Sequence, residues 1–148
     1  ITSDIIVGFP GETEDEFLET YKFVQDIGYA ELHVFPYSRR TGTPAARMDD
    51  QVPNEIKDAR VERMIALSNE LATIYADKHM DQAVEVIPEE KSSEKVGALV
   101  GYSDNYLKVQ FDGPEELIGS IVRVKLTKTG YPLNEGTFVK VADQLVIK

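Results

Sequence analysis

The segment Asp4–Thr13, DIIVGFPGET, decides the fold of the first half of this sequence. Its apolar run Ile5–Val7 is typical of a parallel strand that is covered on both faces. Two glycines within the next four residues allow a sharp turn. Thr13 and Glu16 have the spacing of a capping box, so a helix should begin here. The segment therefore predicts a strand, a turn and a capped helix, a junction at the sheet edge where α/β proteins bind ligands.

The residues after this junction complete one βαβ unit. Apolar residues recur at helical spacing over 14–27, and Gly28 is a suitable stop for that helix. The segment 30–37, AELHVFPY, then predicts a second strand. One such unit leaves a sheet unfinished, and the chain starts at Ile1 without a methionine. We therefore expect the chain to be a fragment of a longer protein.

A long helix and an all-β region follow the loop 38–53. Residues 54–80 contain neither glycine nor proline, and their periodicity predicts a connecting helix. Its core-facing stripe should contain Ile56, Met64, Leu67, Leu71 and Ile74. The pattern alternates from Ala83 onward, and it predicts strands near 83–87, 96–102, 106–111, 119–127 and 136–142, with a possible segment at 145–147. Five short strands predict a small antiparallel barrel, so that the domains would be 1–81 and 82–148.

Composition excludes several classes of site. The 148 residues include no cysteine and two histidines, which argues against disulfides, thiolate metal sites, cysteine nucleophiles and multi-histidine metal sites. No membrane-spanning or secretory pattern occurs, which favours a cytoplasmic location. The net charge of −10 argues against nonspecific nucleic-acid binding by the whole surface. Residues 82–148, however, hold 8 Lys or Arg against 10 Asp or Glu, so their lysines could still gather on one face.

Two motifs carry a family resemblance. The segments Asp4–Thr13 and His33–Ala45, HVFPYSRRTGTPA, resemble the radical SAM methylthiotransferases. The HVFPYS version looks most like the subgroup that acts on threonylcarbamoyladenosine in tRNA. The alternating region from about Gln82 to the end resembles the TRAM domain of these proteins. The resemblance covers essentially the whole chain.

The resemblance implies an α/β plus all-β architecture. The chain looks like the C-terminal part of a radical SAM β/α barrel with its outer helix 54–80, followed by a TRAM-like β-barrel. The full-length parent would methylthiolate C2 of N6-threonylcarbamoyladenosine near the tRNA anticodon. It would use S-adenosyl-L-methionine, two 4Fe-4S clusters and an electron donor that the resemblance does not identify. All cluster-binding cysteines would lie outside this chain, so the chain alone should be inactive.

The resemblance and the residue chemistry together suggest two groups of site residues. Gly8, Pro10, Gly11 and Glu12 would border the nucleoside part of S-adenosylmethionine, or would form only a tight turn and helix cap. The second group would bind substrate RNA, because guanidinium groups grip phosphate while aromatic rings stack on bases. This group contains Arg39, Arg40, Tyr102, Tyr106, Lys108, Lys125, Lys128 and Tyr131. Arg40 is favoured in the loop, because it matches the family's Tyr-Ser-x-Arg-x-Gly-Thr motif.

Other functions remain open on these residues. Related enzymes modify isopentenyl-adenosine in tRNA or an aspartate of a ribosomal protein. The chain could also be an RNA-binding module without catalysis. In the barrel, tyrosines can simply cover strand faces and lysines can protect sheet edges.

Overall fold

The computed structural model describes residues 1–142 and divides the chain into two units. The first unit, Ile1–Tyr75, contains a parallel pair of strands, β1 (Thr2–Val7) and β2 (Glu31–Pro36). Between them lies the helix α1 (Glu14–Ile27), so the βαβ unit and its helix bounds are confirmed. The helix α2 (Asn54–Asp77) ends three residues earlier than the predicted 54–80. The predicted segment 145–147 lies outside the described residues.

The hydrophobic core of the first unit lies on one side of the strands. It contains Val7, Phe17, Val24, Leu32, Met64, Leu67 and Leu71. The middle of the predicted α2 stripe is thus confirmed, but its two ends are not: Ile56 is 44% exposed and Ile74 is 46% exposed. Only a narrow side of an amphipathic helix faces its neighbours. Ile56 and Ile74 lie at the margin of that side, which leaves them partly exposed.

The expectation that β1 is covered on both faces is wrong for this chain. Ile6 is 59% exposed, and its register partner Phe35 on β2 is 50% exposed. Both helices contribute to the one core cluster, with Ile5 and Val34 packed against it. Because side chains alternate along a strand, Ile6 and Phe35 point to the opposite face. Within residues 1–142 the first unit covers this face with no layer of its own.

The second unit, which begins at Ala76, contains a closed five-stranded barrel. Its strands are β3 (Ala83–Lys91), β4 (Ala98–Ser103), β5 (Lys108–Asp112), β6 (Val122–Lys128) and β7 (Asn134–Val141). The order around the barrel is β3-β4-β5-β7-β6, and alternate valines, leucines and Phe111 fill its interior. The predicted small barrel is confirmed.

The predicted fully antiparallel pairing is wrong at one place, because β5 and β7 are parallel. A closed ring with an odd number of strands cannot have every neighbouring pair antiparallel, so five strands require a parallel pair. β7 also begins two residues earlier than predicted, at Asn134. Gly136, predicted as the first residue of this strand, lies inside it, where a Cβ atom would overlap Val124.

Within residues 1–142 no helix combines the length and the apolar character that crossing a membrane requires.

Closure of the barrel depends on Gly101, where a Cβ atom would overlap the backbone oxygen of Ile87. We expect Gly101→Ala to destabilise the second unit by at least about 2 kcal/mol, because backbone on the neighbouring strand must move. Gly130→Ala is the matched control, since its Cβ would meet only the Leu133 oxygen at 3.7 Å. Urea unfolding of both variants measures the difference, and equal stabilities would contradict the assignment.

Candidate functional site

Two loops lie at the carboxyl edge of the parallel strands. The turn 8–13 follows β1, and the loop 37–53 follows β2. The amide of Tyr37 donates to the carbonyl of Val7 at 2.8 Å, and that of Gly11 donates to the carbonyl of Asp50 at 2.8 Å. The second loop therefore returns to the turn, and the two form one structural unit.

The glycines of the turn are required by the chain's own packing. Gly8 and Gly11 have φ angles of 73° and 85°, in the left-handed region that favours glycine. A Cβ atom on Gly8 would overlap the side chain of Lys57, and one on Gly11 would lie 2.5 Å from Asp50 Oδ2. Protein atoms thus occupy the space next to each glycine in which a Cβ atom would lie.

A buried ion pair holds the turn to α2. Glu12 Oε2 accepts a hydrogen bond from the Gly8 amide at 2.5 Å and another from Arg60 Nη1 at 2.7 Å. The same Nη1 donates to the carbonyl of Glu12 at 3.1 Å. The side chains of Arg60 and Glu12 are only 5% and 14% exposed. Charge-assisted hydrogen bonds of this kind are the strong ones.

Sequence reasoning missed Arg60. The signal was present: a charged residue stands four positions before Met64, in line with the buried stripe of α2. A long charged side chain on a buried face needs a partner, since an unpaired buried charge is costly.

The helix cap of α1 is formed as predicted. The Thr13 hydroxyl accepts from the Glu16 amide, and the Glu16 carboxylate accepts from the Thr13 amide at 2.8 Å. The hydrogen bond from the Thr13 backbone, followed by that from its hydroxyl, lowers the pKa of Glu16 below its ordinary value. The turn therefore ends in a rigid capping box.

A cavity of about 580 Å³ lies on the open face of the two strands, next to the second loop. Its lining residues include the apolar Ile6 and Phe35 and the charged Asp4 and Arg40. Arg39 is directed elsewhere, because its Nε donates to the Ala46 carbonyl at 2.7 Å. Of the two candidate arginines, only Arg40 is placed to meet a ligand in this cavity.

The predicted turn residues Gly8, Pro10, Gly11 and Glu12 are not among the lining residues of the cavity. The connection is indirect, through Phe9. Its ring lies edge-on to Tyr37, with the ring centroids 5.3 Å apart, and Tyr37 lines the cavity.

In the second unit the structure brings three of the predicted RNA-binding residues together on one hairpin. Tyr102 of β4 is paired in register with Lys108 of β5 and with Ile87 of β3. Lys108 Nζ lies 5.7 Å from the centre of the Tyr102 ring. Tyr106, in the connection between β4 and β5, is 74% exposed. The row Ile87–Tyr102–Lys108, which we call the hairpin row, offers an aromatic face beside a positive charge.

The other predicted residues of the barrel lie elsewhere. Lys125 forms an ion pair with Asp81 at 3.0 Å, and Lys128 forms one with Glu135 at 2.7 Å. The hydrogen bond that Lys128 donates to the Glu135 carboxylate, together with the charge of that carboxylate, raises the pKa of Lys128. Tyr131 is exposed in the loop between β6 and β7. The two β6 lysines are thus engaged with carboxylates, whereas Lys108 lies over the Tyr102 ring.

Across residues 1–142 no three histidine, aspartate or glutamate side chains are grouped so that they could hold a metal ion.

Comparison with known proteins gives strong sequence similarity to tRNA-modifying enzymes. The chain is 58% identical over 145 residues to the threonylcarbamoyladenosine tRNA methylthiotransferase of Bacillus subtilis, covering 97% of this chain and 32% of the relative. It is 43% identical to the tRNA-2-methylthio-N(6)-dimethylallyladenosine synthase of Bacillus thuringiensis, over 86% of the chain and 25% of the relative. The chain therefore spans about a third or less of these curated relatives. No family model matches it.

The capping box makes the stability of the first unit depend on pH. Because the pKa of Glu16 is lowered in the folded state, its stabilising contribution is present above 4.5, the ordinary glutamate value. It should disappear as the pH falls through the lower, folded-state pKa. We therefore expect thermal unfolding to show a smaller stability advantage of the wild type over Glu16→Gln once the pH is below the folded-state pKa of Glu16. Glu19→Gln, which removes the same charge from the same helix away from the cap, should show no such change. An advantage that persists in strong acid would contradict this assignment.

Proposed function

We propose that this chain, as a member of the tRNA methylthiotransferase family, forms the ligand-facing edge and the RNA-binding barrel of such an enzyme. The observation that carries the proposal is the 58% identity to a relative named for threonylcarbamoyladenosine, against 43% or less to those named for dimethylallyladenosine. We infer that the full-length protein methylthiolates C2 of N6-threonylcarbamoyladenosine near the anticodon. Since its substrate would be tRNA, the protein would act in the cytoplasm.

The iron–sulfur clusters of the proposed radical SAM chemistry do not fit the residues of this chain. Such clusters are held by cysteine thiolates, and none of the 148 residues is a cysteine. The ligands of both 4Fe-4S clusters would therefore lie in other parts of the full-length protein. We expect this chain alone to be catalytically inactive.

S-adenosylmethionine fits the chemistry of the cavity in the first unit. Ile6 and Phe35 provide apolar surface for an adenine ring, while Arg40 and Asp4 are suitable partners for a carboxylate and an ammonium group. When bound, this cofactor supplies the radical and the methyl group of the reaction. The chain's own residues would orient it and exclude water on one side.

We propose that the turn 8–12 is a wall of this site. Gly8, Pro10, Gly11 and Glu12 would border the nucleoside part of the cofactor in the complete protein. Support comes from their position at the carboxyl edge and from the Phe9–Tyr37 contact, which connects the turn to the cavity.

The hairpin row and the nearby Tyr106 are the proposed contact with tRNA in the second unit. The exposed faces of Tyr102 and Tyr106 are suitable for stacking on unpaired bases, and Lys108 for the adjacent phosphate. Lys125 and Lys128 would contribute less, because RNA phosphates must compete with Asp81 and Glu135 for them. Tyr131 would be a peripheral contact.

Nucleoside mass spectrometry tests the enzymatic proposal directly. The intact parent protein, with reconstituted clusters, is incubated with S-adenosylmethionine and tRNA carrying threonylcarbamoyladenosine. A methylthio product is expected, with little or none from tRNA carrying isopentenyl-adenosine. Product only from the second tRNA would favour the alternative substrate, and product from neither would overturn the tRNA proposal.

Substitutions in the intact parent test the RNA contact. Tyr102→Ala should weaken tRNA binding about tenfold, because stacking on one aromatic ring contributes about 1–3 kcal/mol per base. Lys108→Ala should weaken tRNA binding. It should also lower the slope of log affinity against log salt concentration by about 1, the value expected for one phosphate contact. Lys128→Ala removes the same charge as Lys108→Ala but should have a smaller effect. Gel-shift titration over a range of salt measures all three, and a larger loss for Lys128→Ala would refute the choice of face.

A further inference from the structure

We propose that Arg60 of α2 is the positioning residue of the turn 8–12, fixing it in the shape that the bound cofactor meets. Arg60 lies outside both sequence motifs of the site. The inference rests on the proposed function, because it assigns this turn to the wall of the cofactor site.

One oxygen of the Glu12 carboxylate is shared by two hydrogen-bond donors. Glu12 Oε2 accepts from both the Gly8 amide and Arg60 Nη1, at 2.5 and 2.7 Å. The two ends of the turn are therefore joined to each other and to α2 through one atom. Without Arg60, the Glu12 carboxylate would be buried beside a single amide donor, which favours a move toward water.

The turn begins with a residue in the left-handed backbone conformation. Gly8 has a φ angle of 73° and lies against Lys57 of α2. Lys57 Nζ in turn donates to the carbonyl of Tyr37, at the end of β2, at 3.2 Å. Two basic residues, one turn apart on α2, thus hold the loops that follow both strands. The amide of Gly8 is the most direct reporter of this arrangement.

A neighbouring arginine provides the control. Arg63 lies over the Phe17 ring, and its Nη1 pairs with Glu14 at 2.6 Å. Its side chain is 44% exposed, however, and its ion pair does not include the turn carboxylate. Arg63→Met therefore removes the same charge from the same helix while leaving the Glu12 contact intact.

Hydrogen–deuterium exchange of the intact parent protein measures the positioning without cofactor. We expect Arg60→Met to speed exchange of the Gly8 amide at least about tenfold, because its acceptor is no longer held. The buried amide of Val24 should keep its wild-type rate, which shows that the unit stays folded. Arg63→Met should leave both amides unchanged. Unaltered Gly8 exchange in Arg60→Met would overturn the proposal.

Calorimetric binding of S-adenosylmethionine to the same proteins measures the consequence. Arg60→Met should bind at least about tenfold more weakly, and Arg63→Met within about twofold of the wild type. The double variant Arg60→Met/Glu12→Gln leaves no unpaired charge and keeps the test valid if the single variant fails to fold. The double variant should still bind S-adenosylmethionine weakly. If it bound with wild-type affinity, Arg60 would have only a structural role, which would contradict the proposal. Absence of binding to the wild type would refute the cofactor proposal, while Gly8 exchange would still decide the role of Arg60.

Discussion

The Glu12 carboxylate, partly buried between the Gly8 amide and the Arg60 guanidinium, is the constraint on which the candidate site depends. Two glycines give the turn its backbone freedom, and that freedom must be removed for the turn to hold one shape. A buried charge pair can do this, because breaking it leaves a charge without a partner. The capping box at Thr13 then continues the same ordered path into α1.

The open face of the two strands is the side on which the proposed site would be completed by other parts of the full-length protein. Ile6 and Phe35 are exposed there beside Arg40, and both helices pack on the other side. In a β/α barrel, strands are covered by helices outside and by other strands' side chains inside. A chain that spans 32% of its relative would provide only one sector of such a barrel. We therefore propose that the cavity is one wall of a larger site.

Local features were predictable from the sequence, whereas features that depend on distant residues were not. The bounds of α1 and its capping box follow from neighbouring residues, so both were predicted correctly. The parallel β5–β7 pair follows from closing five strands into a ring. The alternation of apolar and polar residues within each strand does not reveal this closure. Arg60 is 48 positions from Glu12, and only folding brings them together. Arg40 was favoured over Arg39 as an RNA contact from its motif; Arg40 lines the cavity and Arg39 does not, and the RNA contact itself stays a prediction.

The most direct test of this account is the coupling between Arg60 and Glu12. A double-mutant cycle of Arg60→Met and Glu12→Gln in the intact protein can be read from the free energy of opening at the Gly8 amide, by native-state hydrogen exchange. We expect a coupling of at least about 1 kcal/mol, within the range for residues that share one network. Strictly additive effects of the two substitutions would contradict it.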